Sequence, residues 1–201
     1  MTPAARIATA IAILDTWIEG VPVEKALTNW ARQARYAGSS DRAAIRDLVF
    51  SALRCKASYA WLGGQDTGRG LMLGHVRKEG LELEALFNGS PHAPAVLTRA
   101  EQQTRHLEEA PLSQRVDCLD WLWPKMQASL GETAEAVLSH LQARAPIFLR
   151  VNTRRADPDK VRARLLETGI ETSPHPLAPN ALEITENHRR CLLYTSDAAD
   201  D

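Results

Sequence analysis

The spacing of apolar residues changes once along this 201-residue chain, near Pro146, and that change limits the possible folds more than any other feature. Before it, apolar side chains recur every three to four positions. Ile7, Ile11, Leu14, Trp17 and Ile18 do so first, and after the Gly20–Pro22 break Val23, Ala26, Leu27, Trp30, Ala31 and Ala34 repeat the pattern. Each stretch gathers one apolar stripe, which predicts two amphipathic helices in close succession. Gly38 and the serines after it suit a turn whose last residue, Ser40, caps a third helix over Asp41–Lys56. Glycine-rich GGQDTGRG reads as a link to a shorter helix around Leu71–Lys78. Thr98 and Glu101 have capping-box spacing and predict another helix start. Two more helices are expected over about 114–129 and 132–144, the former with Leu119, Leu122, Trp123 and Met126 on one face and a kink or restart at Pro124.

After Pro146 the residues IFLRVN (Ile147–Asn152) alternate like a half-buried strand. Asp157–Pro158 pairs an N-cap with proline at the first helical position, and Val161, Leu165 and Leu166 carry that helix to Gly169. Ala181–Ile184 makes a second strand. Two strands and one helix bury too little to close a core. The expected fold class is therefore mainly α: an all-helical bundle over 1–140, then the incomplete β-α-β start of an α/β domain over 141–190.

The third helix also carries a row of like charge. At about 100° per residue, Arg42, Arg46, Phe50 and Arg54 drift slowly around one side of it, beside the apolar face of Ile45, Leu48, Val49, Ala52 and Leu53. Like charges at i,i+4 cost an isolated helix about 0.2–0.5 kcal/mol, so Arg42 and Arg46 are better explained by an anionic partner lying over them. With Arg32 and Arg35, the segment Asn29–Ser58 holds six Lys/Arg against two Asp/Glu. A net charge of −1 hides this segregation, because residues 79–135 hold ten acids and four Lys/Arg while 143–190 hold nine Lys/Arg and six acids. The competing reading is ion pairing of the basic flank within the fold.

Other chemistry is sparse. No run of eighteen apolar residues exists, and Asp15 and Glu19 interrupt the alanine-rich start, so the expectation is a cytoplasmic protein without a membrane anchor. Cys55, Cys118 and Cys191 are widely spaced and lie near no histidine cluster, and the six histidines lack ligand spacing, so no metal is expected. Gly68, Gly70 and Gly74 form a GxGxxxG run, but no strand precedes it and a flexible interhelix loop is the better reading. The five tryptophans fall mainly at helical apolar positions, where they read as core. Arg150, Arg154 and Arg155 put positive charge on and after the first strand, with phosphate contact and pairing to an acid across the sheet both open for Arg150. Residues 191–201, CLLYTSDAADD, resemble a translated sequencing adapter and read as a non-native tail.

Two stretches, RYAGSSDRAAIRDLVFSALR and PIFLRVNTRRADPDKVRARLLETGI, together resemble the RsmB/Sun family of bacterial ribosomal RNA cytosine-5 methyltransferases. The first is similar to the family's helical RNA-binding domain, which has the fold of the NusB antitermination factor, and the second to the start of its methyltransferase region. The resemblance implies the RNA-binding N-terminal portion of an S-adenosyl-L-methionine-dependent enzyme that acts on small-subunit rRNA. It implies RNA contacts from Arg32, Arg35, Arg42, Arg46, Arg54 and Arg150. That family's catalytic cysteines sit in Thr-Cys-Pro-Ser and Pro-Cys contexts, which Cys55 and Cys118 do not share, so no catalytic or cofactor-binding residue is assigned and the chain is expected to be inactive alone. Two alternatives stay open. One is a free-standing NusB-like regulator of antitermination, against which the IFLRVN continuation argues; the other is a helical protein-interaction module whose basic flank pairs with the acidic 79–135 region.

Overall fold

A computed structural model of the chain describes residues 1–185, and the reading of 191–201 as a non-native tail lies outside them. The chain divides into two compact units at Arg144/Ala145.

The first unit is helical. It comprises α1 (Pro3–Ile18), α2 (Val23–Gln33), α3 (Ser39–Arg54), α4 (Lys56–Gly63), α5 (Gly68–Lys78), α6 (Leu83–Leu86), α7 (Leu112–Arg115), α8 (Trp123–Leu130) and α9 (Ala134–Leu141). The apolar stripes read from the sequence meet in one core: Ile7, Leu14, Leu27, Ile45, Val49, Tyr59, Leu71, Met72 and Val76 are all buried there. A smaller cluster of Val116, Cys118 and Leu138, packed by Leu122, Trp123 and Met126, joins α8 and α9. Leu119 lies outside it, exposed.

Several sequence expectations are corrected here. The third helix starts at Ser39 with Gly38 at the N-cap and no capping side chain, and it breaks at Cys55. Asp41, expected in its first turn, is buried and bound by the chain's own N-terminal ammonium (3.2 Å) and by Arg6 (2.8 Å). Gly68, Gly70 and Gly74 are not in a loop but inside α5. A Cβ at Gly74 would collide with the Tyr59 carbonyl of α4, and one at Gly63 with the Gly70 carbonyl, so the two helices cross with their backbones touching. The capping box forms, with Thr98 N donating to Glu101 Oε2 (2.8 Å) and Glu101 N to Thr98 Oγ1 (3.3 Å), yet only a turn follows. Glu101 is drawn instead into a buried ion pair with Arg69 (2.7 Å), and Arg77 donates to the Leu62 and Glu101 carbonyls. Pro124 sits at the start of α8, where its missing N–H costs nothing.

The second unit holds three strands: β1 (Ile147–Arg150), β2 (Thr172–His175) and β3 (Ala178–Ile184), with α10 (Pro158–Glu167) between the first two. The sheet is antiparallel in the order β1-β3-β2, with Ile147 opposite Ile184 and Leu149 opposite Leu182. The expectation of two strands and an open core is overturned. β2 was hidden because Pro174 interrupts its alternation and a register shift follows at His175. With it, Val151, Leu165, Ile170, Leu182 and Ile184 close a small core of their own. Asp157 caps α10 as expected, accepting from Asp159 N (3.0 Å).

Candidate nucleic-acid interface

Helices α2 and α3 put the six-cation segment on the surface, but not every arginine is available. Arg46 forms a two-point pair with Glu24 of α2, its nitrogens 2.6 and 3.0 Å from the carboxylate oxygens, and stacks 5.0 Å from the Phe50 ring centroid. Arg42 donates to the Ala37 carbonyl (3.1 Å) and to the Ala34 carbonyl (3.4 Å), closing the turn between α2 and α3. Helix geometry aligns these two as expected, and tertiary neighbours engage part of the donor set of each. Arg32, Arg35 and Arg54 are exposed, with no ion-pair partner among the described residues.

Arg150 is exposed on the sheet face opposite α10, and its register partner on β3 is Ala181, not an acid. Asn152 ties down the strand end, its side-chain oxygen accepting from Arg154 N at 3.2 Å. The proposed pairing of the basic flank with residues 79–135 does not occur among the described ion pairs: Arg46 goes to Glu24 and Lys56 to Asp66. The acids of that region are met by other arginines, Glu101 by Arg69 and Glu135 by Arg115.

A groove of about 600 Å³ in the helical unit went unread in the sequence. It opens between Trp17 on α1, Arg54 at the end of α3, Lys56 and Trp61 on α4, and Arg105 and Leu119 on either side of α7. Lys56 Nζ lies 5.6 Å from the Trp17 ring centroid and the Arg105 guanidinium 5.8 Å from that of Trp61. Helical spacing assigns Trp61 to a core, but it lines this surface with its Nε1 donating to the His106 carbonyl at 3.0 Å. Trp121 is likewise exposed. Nothing local signals the groove, because its residues meet across roughly a hundred positions of sequence.

Cys55 and Cys118 are buried, and loss of solvent pushes both thiols up, in Cys55 against the pull of Lys78. Burial also pushes up the Asp117 carboxyl, which Ser58 (2.8 Å from its backbone N–H, 2.7 Å from its Oγ) and Gln142 (2.7 Å) hold in place. In the glycine run, the space that a Cβ would fill is occupied by α1 at Gly68, by Gln65 of the α4–α5 link at Gly70 and by α4 backbone at Gly74. Among the described residues no group of three or more His, Cys, Asp or Glu could hold a metal ion, and no helix is long and apolar enough to cross a membrane.

The fold defines a class of chain in which an all-helical unit is followed by a small antiparallel sheet carrying one helix. Residues 120–189 match the family model for the ferredoxin-like domain of RsmF/B-like methyltransferases. The chain is 31% identical over 172 residues to ribosomal RNA small subunit methyltransferase B of Xylella fastidiosa (strain 9a5c), covering 72% of this chain and 39% of that protein. It is 26% identical over 203 residues to the protein of the same name from Xanthomonas campestris pv. campestris, covering 90% of this chain and 46% of that one. The chain belongs to the RsmB/Sun family, and it spans less than half the length of these relatives.

Proposed function

We propose that this chain is the RNA-binding N-terminal portion of a cytoplasmic, S-adenosyl-L-methionine-dependent rRNA (cytosine-5) methyltransferase, with a NusB-like helical unit that grips small-subunit rRNA. One observation carries the reading: Arg32, Arg35 and Arg54 stand exposed, without an ion-pair partner among the described residues, on a chain whose relatives are named as methyltransferases of small-subunit rRNA. Guanidinium groups left in water beside a well-satisfied core cost little, and they release counterions when they meet phosphates. Methyl transfer itself is not assigned to the described residues, whose cysteines are buried and whose glycine run is packed with helix backbone.

The test is a salt titration of binding to a small-subunit rRNA hairpin by the 201-residue chain. Arg32→Ala with Arg35→Ala should flatten the plot of log K against log salt by about 1.8, at ~0.9 per phosphate contact. A slope unchanged from the parent would remove these two arginines from the interface.

A further inference from the structure

The groove between α1, α3 and α4 sets the flat surfaces of two tryptophans beside two arginines that no described carboxylate compensates. Trp17 and Trp61 are half-buried, so each has a fixed body and an open part, and the bond from Trp61 Nε1 to the His106 carbonyl sets the plane of its ring. Of the cations, Lys56 is neutralised by Asp66 at 2.8 Å. Arg54 and Arg105 have no carboxylate partner among the described residues. The remaining acid, Asp117, is turned inward onto Ser58 and Gln142 and does not cancel them. Gly64 helps to build the site: at φ +78 it terminates α4 in a left-handed turn, and the Arg105 guanidinium packs beside that turn and over the Trp61 ring.

We infer that this groove receives one unstacked nucleotide of a single-stranded RNA segment, its base against the Trp61 ring and its flanking phosphates on Arg54 and Arg105. The inference rests on the RNA-binding reading above and names which RNA form the helical unit selects. A base stacks on indole whatever its identity, whereas a duplex keeps its bases inside and offers the rings nothing. Arg105 already lies over the ring as a cation, so its planar group can either cover the far face of an entering base or swing to a phosphate. An acidic protein segment would satisfy the two arginines but would leave both indole faces unused.

The experiment uses the full 201-residue chain and a labelled pyrimidine single strand of about ten nucleotides, free or annealed to its complement, with anisotropy and tryptophan fluorescence as readouts. The single strand should bind more tightly than the duplex and quench tryptophan emission. Arg54→Gln with Arg105→Gln, both at exposed positions and so harmless to the fold, should weaken it about tenfold and flatten the salt slope by about 1.4, at ~0.7 per phosphate. Trp61→Phe should lose most of the quenching while circular dichroism stays that of the parent. Unchanged single-strand affinity in the double arginine variant, with the hairpin still weakened by Arg32→Ala and Arg35→Ala, would overturn the groove and leave the RNA reading standing. Failure to bind either RNA would sink both. Tighter binding of polyglutamate than of RNA would give the groove to an acidic protein and also overturn the inference.

Discussion

Arg46 and Arg54 stand two turns apart on one helix, yet their surroundings give them different work. Glu24 reaches across from α2 and holds Arg46 in a two-point pair, while Arg54 has no acid partner among the described residues. Removing that carboxylate should release a cation to the interface: Glu24→Gln is expected to strengthen hairpin binding and steepen its salt slope by about 0.9, at a stability cost below about 1 kcal/mol because the pair is exposed. Equal slopes for the variant and the parent would show that Arg46 stands away from the RNA. Glu101 is the opposite case. Arg69 and the Thr98 hydrogen bonds hold its carboxyl at about 2, below its ordinary 4.5. A group whose pKa falls on folding stabilises fully above the unfolded value, so this contribution is complete above about 4.5 and is lost as pH drops toward 2. Urea unfolding of Glu101→Gln should show a loss of about 3 kcal/mol at pH 7 that shrinks by pH 3, since the change strands the Arg69 guanidinium. The charge row on α3 was legible from spacing alone. Which members of it were spoken for was not, because Glu24 sits twenty-two positions from Arg46.

Helices α4 and α5 are short, and what makes them a unit is contact between their backbones. Gly63 and Gly74 supply the clearance between the helices and Gly70 that against Gln65 of the link, which is why a glycine run that suggests a loop in one dimension makes a helix crossing in three. Gly74→Ala should separate the pair and destabilise the helical unit by about 3 kcal/mol, read as a lower urea midpoint; a midpoint equal to the parent's would mean the crossing is looser than described. In the second unit, Leu182 sits at the centre of a core with few members, so Leu182→Ala should cost about 2–4 kcal/mol, checked by the loss of amide protection across β1 and β3. The helix periods of α1, α2 and α3 and the N-cap at Asp157 were readable because each arises from residues within one or two turns. The broken helices around α7 and α8 and the strand β2 were not, since packing against Val116 and pairing with β3 outweigh weak local preferences there.

Across the described residues of the two units, both cysteines are buried while Arg32, Arg35, Arg54 and Arg150 are exposed. The 201-residue chain mixed with S-adenosyl-L-methionine and an rRNA fragment is expected to bind the fragment and transfer no label, measured with a radiolabelled methyl group; incorporation into RNA would contradict this. Local physics settled the class of the chain: helical repeats to about residue 140, alternation after Pro146, and a basic α2–α3 surface follow from spacing, because period and charge are properties of neighbours along the chain. Only folding could decide that Arg42 and Arg46 meet internal partners, that a third strand closes the small sheet, and that Trp61, Arg54 and Arg105 share one groove. Those outcomes depend on contacts between residues far apart in sequence, where burial, ion pairing and backbone clearance compete and the winner is set by geometry that no short window contains.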